Sequence, residues 1–551
     1  MEEIKVFGLG GLDENGKNMY IVEVDKDIFV FEAGLKYPTD SSQLGVEKII
    51  PDFSYLIDNK DRVKAVFITH GHHDVMGALT NLLKVIDVDI YATALTSFMI
   101  KNFFKKEKMP TPVIHKIKRD YNFKVGKHHF QTFGVTNSIP DAYGIALDTQ
   151  YGQIVFTSEY MLDFDLIGKN SDFNIADLAE LSKSGVLMII NESVGANRVG
   201  HTSPNHKLIP HIESRFDNDK RVLITLYNQN LYHVMEVLEL AKKYNKKVFI
   251  FDKILLDTLK ELDKLGYYSV DPDLLIDKKH FDNNQKDVVV IISGIGSAVF
   301  QIMHKIVTKE NDFIELNRDD SVIIATQPIP GTEKVSIKME NDLFKETDDV
   351  LRISPKVIYS MHASSEDIKM MYSVLKPKYV VPVKGEYRRL LANANIAVEM
   401  GYTPDKIILL DNGQIAKFNN GHLVSTKDFI KLTDSLIDGN KELDETGMVI
   451  KDREILSTDG VIICGVTIDY HTKKIIGGPD VQTRGVIYLK EADYILKALS
   501  DIMTDTINNA VAAKKYSNSD CRFEARDKMI KYMNRETRKR PMVLTTIVEI
   551  R

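Results

Sequence analysis

The sequence predicts a mixed α/β protein built from three kinds of folding unit. Paired strand patterns mixed with helical patterns run to about residue 205 and predict a sandwich of sheets covered by helices. From about residue 206, strands and helices alternate regularly, which is typical of an open, largely parallel sheet. A short α+β pattern closes the chain. The length of 551 residues favours three or four domains at about 150 residues per domain.

Composition excludes several classes of protein. Hydrophobic residues make up 44% and charged residues 27% of the chain, as in soluble globular proteins. The formal net charge of −6 excludes a generally basic nucleic-acid binder but not a local basic channel. The two cysteines, Cys464 and Cys521, indicate neither a disulfide framework nor a cysteine-based zinc site. Without a signal-like N-terminus or an apolar run of about 20 residues, we expect a cytoplasmic protein with no membrane partner.

The N-terminal strand patterns lead to a histidine-rich loop. Alternating apolar residues predict strands at 4–8, 19–24 and 28–32, and the apolar run Val63–Ile68 predicts a further strand. Residues 69–75 read Thr-His-Gly-His-His-Asp-Val, and helical spacing of apolar residues begins at Val75. The histidines are therefore expected on a loop between a strand and a helix, where catalytic groups are usually carried.

The chemistry of this loop favours a metal. His70, His72 and Asp74 occupy alternate positions, so an extended loop can direct all three side chains the same way. Imidazole and carboxylate are ligands for zinc or manganese, and such an ion can lower the pKa of water to about 7. The alternative is that the histidines are ordinary surface residues that bind no metal. His73 is out of phase with His70 and His72 and is expected to point away.

The remaining patterns define the later domains. Strand 287–293 ends in a glycine-bearing stretch that lacks the spacing of a nucleotide-binding loop. Short turns and charges fill 415–445. Beyond them we predict strands at 460–469, 483–489 and 542–549 and helices at 492–510 and 522–534. The basic segment 535–540 fits a solvated helix end, with RNA contact as the alternative.

Several stretches together carry a resemblance that spans the chain. The sequence resembles ribonuclease J in residues 11–19 (Gly-Leu-Asp-Glu-Asn-Gly-Lys-Asn-Met), 33–38 (Ala-Gly-Leu-Lys-Tyr-Pro), 69–79, 138–141 (Ser-Ile-Pro-Asp), 328–331 (Pro-Ile-Pro-Gly), 382–388 (Pro-Val-Lys-Gly-Glu-Tyr-Arg), 478–480 and 484–485. Within that family it is similar to the degenerate members found in Gram-positive bacteria such as staphylococci.

The resemblance implies a fold and a set of domains. A metallo-β-lactamase domain of αββα type is expected at residues 1–205 and 366–425, interrupted by an α/β β-CASP domain at 206–365. A linker at 426–446 and a small α+β C-terminal domain at 447–551 follow. Active members are 5′-to-3′ exoribonucleases and endonucleases that use two metals in rRNA maturation and mRNA decay. The resemblance also implies assembly through the C-terminal domain.

The family's ligand pattern is incomplete in this chain. Its second motif, His-x-His-x-Asp-His, retains His70, His72 and Asp74 but ends in Val75. A histidine of the third motif is replaced by Asn137, and a metal-binding histidine by Lys384. The resemblance therefore implies a degenerate metal site formed by His70, His72, Asp74 and Glu159.

Other family positions are altered or kept. The acidic residue of the first motif is Glu32, the bridging aspartate is Glu159, and the acidic residue opening the β-CASP region is Glu192. Residues 293–298 depart from the family pattern for the pocket that receives the RNA 5′ phosphate. The loop Ser360, Met361, His362, Ala363, Ser364 retains its histidine, so the resemblance implies substrate binding by this loop and catalytic roles for Asp74 and His362.

Lys384 suggests a specific substitution. An ammonium cannot coordinate a cation, but at a metal's position it would neutralise carboxylates, and we expect Asp74 and Glu159 as its partners. Two-metal occupancy by zinc or manganese is not expected, and a site with no metal is the alternative. A solvent-facing Lys384 is the alternative to the ion pair.

Two functions follow from this pattern. The first is a weakly active or inactive ribonuclease J paralogue that binds RNA and acts as a subunit with an active ribonuclease J. It is expected to form a homo- or hetero-dimer or tetramer, or to join an RNA degradosome. The second is a competent metal-dependent ribonuclease with a reduced metal site.

Overall fold

The computed structural model describes residues 2–39, 45–439, 441–443, 448–486 and 493–551. Two compact units form: the smaller comprises Asp438–Arg551 with the short segment Asp40–Val46, and the larger contains the remainder of the chain. None of the described helices is both long and apolar enough to cross a bilayer.

Strands of the larger unit form two facing sheets, an additional parallel sheet and one short pair. The strands are β1 Glu3–Gly10, β2 Met19–Val24, β3 Asp27–Phe31, β4 Lys48–Ile50, β5 Val63–Ile68, β6 Ile90–Ala92, β7 Ile114–Lys116, β8 Asn122–Val125, β9 His128–Gly134, β10 Tyr143–Thr149, β11 Gly152–Phe156, β12 Val186–Glu192, β13 Val222–Tyr227, β14 Lys247–Ile250, β15 Val288–Gly294, β16 Ser321–Ile324, β17 Val350–Arg352, β18 Tyr379–Val383, β19 Gln414–Asn419, β20 His422–Phe429 and β21 Ser435–Asp438.

Helices cover these sheets. They are α1 Ser54–Asp58, α2 His73–Met76, α3 Leu79–Val85, α4 Ala94–Lys106, α5 Ile175–Ser182, α6 Ile209–Ile212, α7 Leu231–Lys243, α8 Lys253–Lys264, α9 Ala298–Val307, α10 Glu333–Glu346, α11 Ser365–Leu375 and α12 Tyr387–Glu399. Short 3₁₀ turns lie at Lys60–Arg62, Glu213–Arg215 and Pro404–Lys406.

The two facing sheets form a four-layer sandwich. One sheet has the order β20-β19-β1-β2-β3-β5-β6-β7 and the other β18-β12-β11-β10-β9-β8. Their inner faces share an apolar core that includes Phe29, Phe67, Ile145 and Phe156. Helices α1, α3 and α4 supply residues to the outer core of the first sheet, and α5, α11 and α12 to that of the second. This arrangement confirms the predicted αββα sandwich.

The segment between β12 and β18 contains the inserted domain. Its sheet, β14-β15-β13-β16-β17, is parallel throughout. The strands read as continuous apolar runs because both faces are buried, by α7 and α8 on one side and by α9 and α10 on the other. The chain then returns to the sandwich, where β18 pairs in parallel with β12.

The prediction of turns at 415–445 is wrong for most of its length. Strands β19 and β20 extend the first sheet, and β21 pairs with β4. The sequence misleads here because β20 is an edge strand whose side chains are largely exposed, so its polar residues resemble a loop. Residues 440 and 444–447, within or beside the expected linker, lie outside the described residues.

The smaller unit contains a three-stranded sheet and the helices that pack on it. Its elements are β22 Lys441–Glu442, α13 Met448–Thr458, β23 Val461–Asp469, β24 Ile475–Arg484, α14 Asp493–Ala512, α15 Asn518–Thr537 and β25 Met542–Ile550. The sheet order is β24-β23-β25, and Leu499, Met503, Met529 and Met533 of α14 and α15 pack on one face. The strand predicted at 483–489 overlaps the observed strand β24 only at 483–484, because β24 ends at Arg484. Residues 487–492, which include the end of that prediction and the predicted helix start, lie outside the described residues.

Candidate metal centre

The ends of strands from both facing sheets bring the candidate ligands together. Glu32 directly follows β3, and Thr69 and His70 follow β5. From the second sheet, Glu159 follows β11 and Lys384 follows β18. Parallel strands place their carboxyl ends at the same edge, so residues far apart in sequence become neighbours.

Three residues at this edge of the sheets have an unusual backbone conformation. Glu32, Ser158 and Lys384 have φ values of 67°, 62° and 61°, in the left-handed region that non-glycine residues rarely adopt. Such conformations cost about 1–3 kcal/mol each and persist where surrounding structure holds them. The Lys384 N–H donates to the Gly11 carbonyl at 3.1 Å, which fixes the start of the lysine loop.

Two imidazoles and one carboxylate converge at the centre. His70 Nε2 lies 3.0 Å from His72 Nδ1 and 3.1 Å from Glu159 Oε2. His72 Nδ1 lies 3.3 Å from the same carboxylate oxygen. Among the described residues, these three groups form the cluster whose potential ligand atoms all lie within 4.8 Å of one another. Asp74, expected as a fourth ligand, is not part of this cluster.

Lys384 occupies the other side of Glu159. Its Nζ lies 3.1 Å from Glu159 Oε1 and 2.8 Å from Glu32 Oε2, and all three side chains are at most 3% exposed. The predicted contact with Glu159 is therefore present, but the second ion-pair partner is Glu32 and not Asp74. Glu159 uses one carboxylate oxygen for the imidazoles and the other for the ammonium.

The ionisation of the centre follows from burial and this ion pair. Burial raises the pKa of Glu32 to about 7, although Lys384 opposes the shift. Burial acts the same way on Glu159, but Lys384 and His70 outweigh it and hold the pKa well below its usual range. For Lys384, burial is outweighed by Glu159 and Glu32, so the pKa lies well above its ordinary value. Burial lowers the pKa of His70 to about 3, so this imidazole is neutral.

Asn137 is committed to local hydrogen bonds. Its Nδ2 donates to the Glu159 carbonyl at 3.1 Å, and its Oδ1 accepts from the Ile139 N–H at 3.0 Å. The neighbouring Ser138 Oγ lies 2.9 Å from His72 Nε2. The side chain that replaces a histidine ligand of the family thus braces the loop around Glu159, and Ser138 orients His72.

Asp74 and Val75 lie in the short helix α2, although the sequence predicted a loop as far as Asp74. Asn18 Nδ2 donates to Asp74 Oδ2 at 3.0 Å. The Asp74 backbone packs directly against Gly34. A side chain at position 34 is excluded, because its Cβ would lie 1.6 Å from the Asp74 carbonyl oxygen. Val75 is fully buried in an apolar cluster beneath the site. Burial, followed by the charge of Glu159, raises the pKa of Asp74.

His362 faces the centre from a braced loop. Its Nδ1 lies 2.8 Å from Glu192 Oε2, while Glu192 Oε1 accepts from the Ala363 and Tyr160 N–H groups at 3.1 and 2.9 Å. Arg198 donates to the carbonyls of Ser360 and His362 at 2.9 and 3.0 Å. These contacts hold the imidazole in place.

The expected substrate loop divides between the cleft and the fold. Ser360, Met361 and His362 line a cavity of about 480 Å³. Ala363 is buried, and Ser364 caps the N-terminus of α11, where its N–H donates to Asp367 Oδ2 at 3.0 Å. Met361 packs with Met161 and Tyr232.

A smaller polar cavity of about 90 Å³ lies at the centre itself. It joins the retained and altered family positions with two asparagines near the N-terminus. Its lining residues are Asn15, Asn18, His72, Asp74, Glu159, Val194, His362, Lys384 and Gly385.

Sequence reasoning did not assign roles to Asn18, Ser138, Thr69 or Arg198. Asn18 lay within a stretch that carries the family resemblance, so its position was a usable signal. The Thr69 Oγ1 donates to Glu32 Oε1 at 3.0 Å, a contact between two loops that spacing alone does not reveal. His73 points away from the cluster as expected, with its Nδ1 2.7 Å from the Tyr37 hydroxyl.

The donor set fits one ion better than two. His70, His72 and Glu159 offer nitrogen and oxygen ligands of the kind zinc and manganese take. A second ion does not fit, because the Lys384 ammonium contacts the carboxylates that would face it, Asn137 is committed elsewhere and Val75 is apolar.

The αββα sandwich with its inserted parallel-sheet domain is the metallo-β-lactamase fold with a β-CASP insertion, as the family comparisons show. Family models match the metallo-β-lactamase superfamily over residues 12–149, the ribonuclease J β-CASP domain over 219–343, the Zn-dependent metallo-hydrolase RNA specificity domain over 350–407 and the ribonuclease J C-terminal domain over 448–550.

Full-length relatives give the same result. Ribonuclease J 2 of Staphylococcus aureus (strain NCTC 8325 / PS 47) is 31% identical over 552 residues, covering 100% of this chain and 99% of that protein. Ribonuclease J 2 of Staphylococcus epidermidis (strain ATCC 12228 / FDA PCI 1200) matches with the same identity and coverage. The chain belongs to the ribonuclease J family.

A solved structure supports the fold alone. A protein of unknown function from Enterococcus faecalis V583 superposes with a TM-score of 0.52 at 15% sequence identity, covering 76% of this chain and 100% of that chain. The predicted order of a metallo-β-lactamase domain, a β-CASP insertion and a C-terminal domain is confirmed by the family matches.

Proposed function

We propose that this chain is an RNA-binding ribonuclease J subunit with weak or no nuclease activity of its own. It acts in the cytoplasm with an active ribonuclease J, in a dimer or tetramer or within an RNA degradosome, in rRNA maturation and mRNA decay. The observation that carries the proposal is the ligand cluster, in which His70, His72 and Glu159 suffice for one ion while Lys384 contacts the carboxylates on the other side.

Two-metal nucleases stabilise the attacking and leaving oxygens of a phosphate with separate ions. A centre limited to one ion lacks half of this machinery. The buried ammonium is already paired with two carboxylates, so it is not available to neutralise the charge of a phosphate. Weak or absent cleavage follows from this arrangement.

RNA binding is supported by the larger cavity and by the family. The cavity lies between the sandwich and the inserted domain, with Lys36 and Arg389 on one side and Tyr227, Gln229 and Asn230 on the other. Cations suit phosphates, and aromatic and amide groups suit bases. His362 is positioned by Glu192 to contact a bound strand.

The second candidate is a slow enzyme with a single metal ion. The three-ligand cluster favours it, because His70, His72 and Glu159 would hold the ion. When bound, zinc or manganese supplies Lewis-acid chemistry at a phosphate. Asp74, hydrogen-bonded to Asn18, would take up the proton from water, and His362 would assist at the phosphate.

Single-turnover cleavage separates these functions. A 5′-monophosphorylated RNA is incubated with excess wild-type chain or Asp74→Ala in manganese, with the exposed Asp58→Ala as control. We expect all three to give the same background rate while binding the RNA. Removing a true proton-transfer group costs about 10²- to 10⁴-fold. Manganese-dependent cleavage that is lost in Asp74→Ala alone would establish the enzyme instead, and loss of RNA binding would defeat the subunit proposal.

A further inference from the structure

We infer that the Lys384 ammonium takes the place of the second metal ion. The centre therefore binds at most one ion, and the fold around it is stable without a second. This inference deepens the proposed function and rests on it for the role of the centre. It concerns which cation holds the buried carboxylates together: an ammonium belonging to the chain or a divalent ion from solution.

The first argument is the position of the ammonium. Lys384 Nζ lies between Glu32 and Glu159, 2.8 Å and 3.1 Å from their oxygens, with Glu32 fully buried and Lys384 1% exposed. A cation between two buried carboxylates stabilises them strongly, because an unpaired buried charge is unfavourable. The lysine supplies that cation.

The second argument is that the two carboxylate oxygens of Glu159 have different partners. Its Oε2 faces His70 and His72, while its Oε1 faces the ammonium. The carboxylate therefore bridges a potential one-ion site and the lysine. The bridge joins two cationic positions without requiring two metal ions.

The third argument is that hydrogen bonds from neighbouring loops fix the positions of Glu32 and of the loop that carries Lys384. Glu32 is anchored by its N–H to the Phe67 carbonyl at 2.9 Å and by the Thr69 hydroxyl. The lysine loop is anchored to the N-terminal loop by Lys384 N–H to Gly11 and Gly385 N–H to Glu14. These contacts fix the backbone from which the buried Lys384 side chain reaches Glu32 and Glu159.

The test compares two replacements of the lysine. Lys384→Ala removes the ammonium and opens space beside Glu32 and Glu159, whereas Lys384→Met removes the charge but fills the space with a side chain that is a poor ligand for a hard cation. Manganese and zinc are titrated separately into the full-length protein by calorimetry and thermal unfolding. Lys369→Ala, which removes a surface ion pair between a half-buried lysine and Glu366 and Glu399, is the control.

We expect Lys384→Ala to bind one more ion than wild type, about 10- to 100-fold more tightly than wild type binds any second ion, and to recover thermal stability as metal is added. Lys384→Met should lose stability without this recovery. Equal metal responses of the two variants would overturn the inference.

Wild-type protein provides a measurement that does not depend on the variants folding. Its manganese-loaded form should give only the electron paramagnetic resonance spectrum of isolated ions. A spin-coupled manganese pair would overturn the inference, even if the chain cleaves no RNA. Asp74-dependent cleavage by a protein holding one ion would instead defeat the proposed function and leave the inference standing.

Discussion

Replacing Lys384 with methionine is expected to lower the unfolding free energy of the protein by about 3–5 kcal/mol. The substitution keeps an apolar stem of similar length but leaves Glu32 and Glu159 buried together without their cation. Breaking a buried pair in this way exposes the full cost of an uncompensated charge. Urea denaturation of wild type and variant in chelator measures the difference.

Two further variants isolate the electrostatic origin of the loss. Lys369→Met removes a half-buried surface lysine from the same unit and should cost about 0–1 kcal/mol. Adding Glu32→Gln to Lys384→Met removes one of the two carboxyl groups left without a cation and should recover part of the loss, with a coupling energy above about 1 kcal/mol. A Lys384→Met loss no larger than that of the surface control would contradict the ion-pair assignment.

Joint substitution Val75→His, Asn137→His and Lys384→His is expected to raise the affinity for a second divalent ion by about 100-fold. The three changes restore the nitrogen ligands that the family pattern places at these positions and remove the competing ammonium. Isothermal titration with zinc and with manganese measures the gain.

The matched control keeps the lysine. Val75→His with Asn137→His introduces the same two imidazoles beside an ammonium that contacts Glu32 and Glu159. We expect little gain in this double variant and some loss of stability, because Val75 packs in an apolar cluster and the Asn137 amide braces the Glu159 backbone. If the double variant bound metal as tightly as the triple one, Lys384 would not be the obstacle.

Periodicity predicted most of the sandwich and the inserted domain. Buried strands such as β5 are largely apolar runs bounded by turn residues, and the observed limits of β5, Val63–Ile68, are those predicted. Exposed edge strands escape this logic. In β20 no residue is fully buried, so neither face imposes an apolar pattern that distinguishes it from a loop.

The candidate centre was predictable only in part. Family motifs located His70, His72, Glu159 and Lys384, because each is adjacent to recognisable sequence. The pairing of Lys384 with Glu32 in place of Asp74 depends on which strand ends meet in space. Likewise, the commitment of Asn137 to backbone partners depends on loop geometry that residue type does not encode.

Metal content of the wild-type protein tests the central claim most directly. The protein is purified without added metal, loaded separately with excess zinc or manganese, freed of unbound ion and measured by mass spectrometry for ions per chain. A centre formed by His70, His72 and Glu159 with Lys384 in place of a second ion predicts no more than one tightly bound ion per chain. Two tightly bound ions per chain, both lost from a His70→Ala, Asp74→Ala variant, would contradict it.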